Sequence, residues 1–293
     1  MKKIILSSAG IAFAIAILAI YWKSNDSEPK QHHKSQNVSG EPSPMQKTLA
    51  SSNNSTPHAQ NSLSISSENI EKLAGLKVQR LTGKAFIIED FGVAPSGNAV
   101  DVIRKLEAPA RNGDSRASYE LYLKIKECME LVKGRPAPAS AGSSSSFDDC
   151  KDLSADYYTS AAYWLQLAAN QGNIGAQLLY GSDPGAVLGD PSNMLRDPNN
   201  VKKYKENALA YWNAAANSGS VDALLRLASA YRNGILANQN LSTSYAYYEA
   251  VRAVSPELTP KRTMEEIAQG LDANEMTVST QKGRGIYDKC CRP

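Results

Sequence analysis

Residues 207–234 read NALAYWNAAANSGSVDALLRLASAYRNG, and a similar pattern starts again at residues 246–254 as AYYEAVRAV. The first half carries apolar side chains at positions i, i+3, i+4 and i+7, which is the spacing of one face of a helix. These are Ala208, Tyr211, Trp212 and Ala215. Gly219 ends this helix, because glycine enters the left-handed cap conformation without a steric cost. Ser220 can cap a second helix with the same apolar spacing, so the stretch predicts a helix–turn–helix unit.

The unit recurs along the chain. Tyr247-Tyr248 follows Tyr211-Trp212 by 36 residues, and such a period is typical of an α-solenoid. The residues that end the first helix of each unit align as Gly113, Gly172, Gly219 and Ser255. The spacings between Gly113, Gly172 and Gly219 exceed 36 residues because the chain carries insertions at 134–146 and 182–200, each between two units. We therefore expect an all-α fold, an α-solenoid of about four units.

The domain organisation follows from this register. The predicted repeat domain covers residues 100–273. Residues 65–99 are expected to cap its amino-terminal end, with a short helix over 69–80 and an extended piece at 86–88, because a terminal repeat needs a different outer face. Residues 274–293 show no clear pattern and are expected to form an irregular tail.

The amino terminus has the composition of a targeting segment. Residues 4–22 carry no charge and are long enough to cross a bilayer as a helix. We expect residues 1–22 to be an uncleaved transmembrane anchor. A cleaved signal peptide is the alternative, although no small-x-small cleavage site follows the apolar run. Residues 23–64 hold too few apolar side chains to offset the entropy of ordering, which predicts a flexible linker.

Histidine is confined to the predicted linker, at His32, His33 and His58. The predicted folded part therefore lacks the commonest general base and metal ligand. A net charge of +3 does not indicate nucleic acid as a partner. We expect no catalysis, no cofactor and no metal. The alternative is a hydrolase that uses adjacent carboxylates, and the candidate pairs are Glu89-Asp90, Asp148-Asp149 and Glu265-Glu266.

The four cysteines form two groups. Cys128 and Cys150 lie on either side of the first insertion, and a disulfide between them is favoured over free thiols in an oxidising compartment. Cys290 and Cys291 are adjacent, and adjacent cysteines rarely bridge each other. They are expected to pair with a partner chain, to stay free, or to exchange with the first pair. The C-x-x-C knuckles of a zinc site are missing.

Residues 164–176 read W-L-x-x-A-A-x-x-G-x-x-x-A, and 211–223 are their counterpart. Together with the second-helix text at 224–234, they resemble the Sel-one-like repeat family, which is related to the tetratricopeptide repeats. The resemblance implies an α-solenoid that serves as an adaptor in signalling or membrane-associated assemblies, and some bacterial members are envelope proteins. It implies no catalytic residues, because the repeat motif holds none.

Solenoids commonly bind their partners on the concave face. The polar residues predicted to line that face are Tyr163, Gln166, Asn170, Asn213 and Asn217. We expect a non-catalytic adaptor in the bacterial inner membrane, with the repeat domain in the periplasm, or a secreted or periplasmic protein if the signal is cleaved. The alternative functions are a periplasmic immunity or inhibitor protein that binds a secreted toxin, and the envelope hydrolase.

Overall fold

A computed structural model describes residues 75–134 and 147–292, which belong to one compact unit of the chain, Asn61–Pro293. The predicted anchor, linker and three histidines lie outside the described residues, as does the first part of the predicted cap helix. No helix among the described residues is long and apolar enough to cross a membrane.

The described part of the chain holds two short strands and twelve α-helices. The strands are β1 (Lys77–Arg80) and β2 (Phe86–Asp90). The first six helices are α1 (Ala99–Arg111), α2 (Ser115–Val132), α3 (Phe147–Cys150), α4 (Ala155–Asn170), α5 (Ile174–Ser182) and α6 (Pro184–Leu188). The last six are α7 (Pro191–Arg196), α8 (Pro198–Asn217), α9 (Val221–Asn233), α10 (Leu241–Val254), α11 (Lys261–Ala268) and α12 (Ala273–Cys290).

The helices pack as consecutive hairpins. α1 packs on α2, α4 on α5 and α8 on α9, and each second helix packs on the first helix of the next unit. Contacts between neighbouring units are what a helical repeat needs to bury its apolar stripes. The apolar side chains at the centre of these contacts are fully buried: Leu121, Ile125, Leu165, Leu178, Leu224 and Leu227. The prediction of a mostly helical, repeat-like fold is confirmed.

The turn inside each of the first three units follows the predicted chemistry, whereas Ser255 in the fourth unit has an extended backbone with φ of -153°. Gly172 and Gly219 have positive φ angles of 90° and 98°, and the Ser220 side chain accepts a hydrogen bond from the Ala223 backbone N–H at 3.2 Å. Ala223 is fully buried. A small residue there lets the two helices of a unit approach closely.

The prediction of an irregular tail over 274–293 is wrong, because α12 occupies most of it. This helix starts with a capping box, in which Asp272 and Glu275 each accept a hydrogen bond from the other's backbone N–H. It is the main packing partner of α10, which contacts α11 far less. Gly283 and Gly285 lower the helix propensity of this segment. The sequence alone therefore does not indicate a helix here.

The amino-terminal cap is a β-hairpin. The predicted helix over 69–80 is wrong in its described part, since β1 pairs antiparallel with β2, Val78 opposite Ile88 and Arg80 opposite Phe86. The predicted extended piece at 86–88 lies within β2 and is confirmed. The all-α prediction therefore misses this two-stranded sheet.

The β-hairpin is attached to the turn of the third unit. The Phe86 backbone N–H donates to the Gly219 carbonyl at 3.0 Å, and the Ile88 N–H donates to Oδ2 of Asp222 at 2.9 Å. Phe86 also forms a parallel bridge with Ser220. A strand thus pairs with the backbone that connects α8 to α9.

The same segment contacts the first unit and the carboxyl-terminal end. The Tyr119 hydroxyl on α2 donates to the Phe91 carbonyl at 2.8 Å. The Lys84 N–H donates to the Cys291 carbonyl at 2.9 Å. Residues 84–91 therefore link parts of the array that lie far apart in the sequence.

Both cysteine groups form disulfides. Cys128 and Cys150 are bonded, with Cα atoms 5.4 Å apart, which is the pairing that the sequence favours. Cys290 and Cys291 are bonded to each other, so the expectation that adjacent cysteines would not bridge is wrong. Both are buried at the end of α12, where Cys291 has left helical geometry. The other two cysteines of the chain are already paired.

Replacing Cys128 and Cys150 with alanine is expected to lower the free energy of unfolding by about 3 kcal/mol, because the bond closes a 22-residue separation and restricts the unfolded chain. The matched control replaces Cys290 and Cys291, which are equally buried but close no loop. That control variant should lose less of its free energy of unfolding. Urea unfolding without reductant measures both, and an equal loss in the two variants would contradict the loop-closure account.

Candidate partner-binding face

Each of the last three units carries an aromatic side chain eight positions before the residue that ends its first helix. These aromatic residues are Trp164 on α4, Tyr211 on α8 and Tyr247 on α10. A polar side chain from the preceding first helix contacts each of them. We call the resulting band the first-helix face. It comprises Arg111, Tyr163, Trp164, Gln166, Asn170, Tyr211, Asn213, Asn217 and Tyr247.

Arg111 joins the first two units. Its guanidinium carbon lies 5.1 Å from the Trp164 ring centroid and 5.9 Å from that of Tyr163. Its Nη1 donates to the Tyr163 hydroxyl at 3.4 Å. Glu107 pairs with the same guanidinium at 2.7 Å, which orients it from one turn earlier. A cation over aromatic rings is favourable even at an exposed site.

Asn170 joins the second and third units. The Tyr211 hydroxyl donates to Asn170 Oδ1 at 2.5 Å. Burial raises the pKa of Tyr211 to about 12, against the opposite effect of a hydrogen bond with Gln166. The phenol therefore stays protonated at neutral pH and remains a donor to the face.

Asn213 joins the third and fourth units. The Tyr247 hydroxyl donates to Asn213 Oδ1 at 3.1 Å, while Asn213 Nδ2 donates to the Leu209 carbonyl at 2.7 Å. The Tyr231 ring stacks on Tyr247 with centroids 5.9 Å apart. Burial raises the pKa of Tyr247 to about 12, so this donor also persists at neutral pH.

Four of the five predicted partner-binding residues take part in the contacts of the first-helix face: Tyr163, Gln166, Asn170 and Asn213. Asn217 follows Asn213 by about one turn of the same helix. Tyr163 is 47% exposed, Asn170 and Asn217 are exposed, and Gln166 and Asn213 are half-buried. Asn170 and Asn213 also hold hydrogen bonds between units, a structural contribution that the sequence did not suggest. Partner binding by these residues stays a prediction.

Arg111 was missed by the sequence reasoning. It stands two positions before Gly113, as Asn170 and Asn217 stand two positions before Gly172 and Gly219. Comparing the residues at this position of each repeat would have identified Arg111. Pro109 hid the equivalence, because proline disfavours the interior of a helix, although α1 continues through that proline to its end at Arg111.

The adjacent carboxylates lie on three different elements: Glu89-Asp90 on β2, Asp148-Asp149 on α3 and Glu265-Glu266 on α11. Glu266 pairs with Arg232 at 3.0 Å and with Arg262 at 3.2 Å. Within residues 75–134 and 147–292, no group of three or more His, Cys, Asp or Glu side chains could hold a metal ion.

No protein-family model and no curated protein matches the chain. Among solved structures, it is similar to a protective antigen present in uropathogenic Escherichia coli strains displaying an SLR fold, with 13% sequence identity and a TM-score of 0.38. The similarity covers 66% of this chain and 42% of that protein, so the chain spans less than half of its length. At this identity and TM-score the likeness carries no argument about function, and membership of the Sel-one-like family stays a prediction.

Proposed function

We propose that the protein is a non-catalytic interaction module that binds another protein through the first-helix face. Residues 1–22 would tether it to the bacterial inner membrane, with the repeat domain in the periplasm. The observation that carries the proposal is the band of contacts that runs through all four first helices. It places exposed polar side chains and the exposed Tyr163 on one surface, beside the buried rings of Trp164 and Tyr211.

The chemistry of the band suits protein recognition. Tyrosine, tryptophan and arginine are enriched at the centres of protein interfaces. Here Arg111, Tyr211 and Tyr247 are held by partners within the fold. Side chains that are ordered before binding lose less entropy on association. The face is thus suited to bind without rearrangement.

The cysteine chemistry supports the location. The described residues hold two disulfides, Cys128–Cys150 and Cys290–Cys291. Disulfides form and persist in oxidising compartments such as the bacterial periplasm and are rare in the cytosol. Together with the uncharged run at 4–22, they favour a repeat domain outside the cytoplasm.

Partner capture from detergent extracts tests the proposal. Tyr163→Ala and Asn217→Arg change exposed positions of the first-helix face, and we expect each to reduce recovery of a crosslinked partner at least tenfold. Asn274→Arg is the matched control, because it places the same charge at an exposed position on α12. Equal recovery with all three variants would overturn the proposal, as would loss with the control. Protection in a toxin co-expression assay would narrow the partner to a toxin.

A further inference from the structure

The second insertion, 182–200, builds a cleft on another part of the surface. It folds as α6 and α7, and these helices enclose a space of about 490 Å³ together with α8 and α9. We call this space the insertion cleft. Its volume lies within the range of known ligand sites. The lining side chains on which the argument rests are Leu188, Tyr204, Lys205, Trp212, Arg226 and Ile235.

The aromatic wall of the insertion cleft is held in place by the helix behind it. The Tyr204 hydroxyl donates to the Gly181 carbonyl at 3.1 Å, and the Trp212 Nε1–H donates to the Leu178 carbonyl at 3.3 Å. A Cβ on Gly181 would lie 2.6 Å from the Trp212 ring, so the ring rests directly on the α5 backbone. The polar atoms of both aromatics are thus satisfied by α5, and what they add to the cleft is apolar ring surface.

The charges of the cleft have one sign. Lys205 and Arg226 line it, and no carboxylate does so among the described residues. The Arg226 guanidinium donates to Ser182 Oγ and lies 6.0 Å from the Trp212 ring centroid. Burial lowers the pKa of Arg226, with only Asp222 acting against it. Asp222 is itself engaged by the Ile88 N–H.

An exposed apolar side chain marks the mouth of the cleft. Ile235 is 65% exposed and directly follows Gly234, which ends α9 in the left-handed conformation. Leu188 on α6, which also lines the cleft, is buried. An exposed apolar residue that continues into an apolar cleft is typical of a protein-binding surface.

We propose that the insertion cleft binds an acidic segment of a partner protein, in which a large apolar side chain enters beside Trp212 and flanking carboxylates pair with Lys205 and Arg226. The charge complementarity selects this occupant, because a basic segment would meet two cations and no carboxylate on the described lining of the cleft. Carboxylates form their strongest hydrogen bonds with arginine, often in bidentate geometry. The inference rests on the proposed function in one respect only, that the partner is a protein.

Fluorescence anisotropy with the full chain in detergent tests this site. The probe is a labelled decapeptide with a central Leu-Trp between glutamates, and the matched peptides carry lysines for the glutamates or alanines for Leu-Trp. Only the first should bind. We expect Arg226→Gln and Lys205→Gln to weaken its binding at least tenfold, and Lys203→Gln, an exposed change on the same helix, to stay within twofold.

Ile235→Glu is a second variant that spares the core, since its side chain is exposed, and it should also abolish peptide binding by placing a carboxylate at the mouth. The proposal fails if the acidic peptide binds no tighter than the basic one, or if Arg226→Gln and Ile235→Glu bind it like the unmodified protein. It also fails if phosphatidylglycerol, added as mixed micelles with the detergent, binds instead of the peptide in a way that depends on Arg226.

The two proposed surfaces can fail separately. Asn217→Arg lies on the first-helix face, so it should leave peptide affinity within twofold, and a tenfold loss in that variant would overturn a separate site at the insertion cleft. Peptide binding that persists while partner capture does not depend on Tyr163 or Asn217 would remove the first-helix proposal alone.

Discussion

Replacing Gly219 with alanine is expected to lower the free energy of unfolding by about 3–4 kcal/mol, whereas Gly172→Ala should cost about 1–2 kcal/mol. The two glycines hold equivalent positions, with φ angles of 98° and 90°, and alanine is similarly disfavoured there. Only Gly219 lies against the β-hairpin. A Cβ there would collide with the carbonyl oxygen of Lys84, while one on Gly172 would meet nothing within 4 Å.

Urea unfolding of the two variants gives the difference directly. Amide hydrogen exchange adds a local readout, since the Phe86 N–H is bonded to the Gly219 carbonyl and should exchange faster in Gly219→Ala. The Gly172 variant is the control for the backbone cost alone. Equal losses in both, with unchanged exchange at Phe86, would show that the β-hairpin does not press on this turn.

Alanine at two glycines of α12 is expected to change stability in opposite directions. In a helix interior, alanine is more favourable than glycine by up to about 1 kcal/mol, and both substitutions gain this difference. Gly285 is exposed, and an added Cβ would meet nothing within 4 Å, so Gly285→Ala should stabilise by about 0.5–1 kcal/mol. At Gly283 the Cβ would lie 2.5 Å from the Glu249 Cβ and 2.8 Å from the Ala246 carbonyl oxygen. Gly283→Ala should therefore destabilise by about 2 kcal/mol.

Thermal and urea unfolding of the two single variants check this prediction. The two sites lie on the same helix, so a common effect on helix propensity cancels in the comparison. A stabilising effect of Gly283→Ala would mean that α12 does not pack closely on α10. In that case α10 would need a different packing partner.

The helical units could be predicted because their information is local. The apolar spacing from Ala208 to Ala215, the turn at Gly219 and the cap at Ser220 act within a few residues of one another. The five first-helix residues followed from the same register. Arg111 was recoverable in principle, since it precedes its glycine as Asn170 does.

The missed elements depend on distant contacts. β1 exists because β2 supplies its hydrogen-bond partners and because β2 in turn pairs with the Gly219 turn, more than a hundred residues away. α12 contains Gly283, which disfavours a helix locally but permits close packing on α10. Neither effect leaves a periodic pattern in the chain.

By itself, the sequence determined the repeated helical hairpins and the positions of most of their turns, because periodicity and cap chemistry act over a few residues. It favoured the pairing of Cys128 with Cys150 without excluding an exchange with the other two cysteines. Only the tertiary structure decided that α12 closes the array, that Cys290 bonds to Cys291 and that the 182–200 insertion encloses a cleft. Those features depend on which surfaces meet across long separations, and an insertion without a period says nothing about where its side chains will lie.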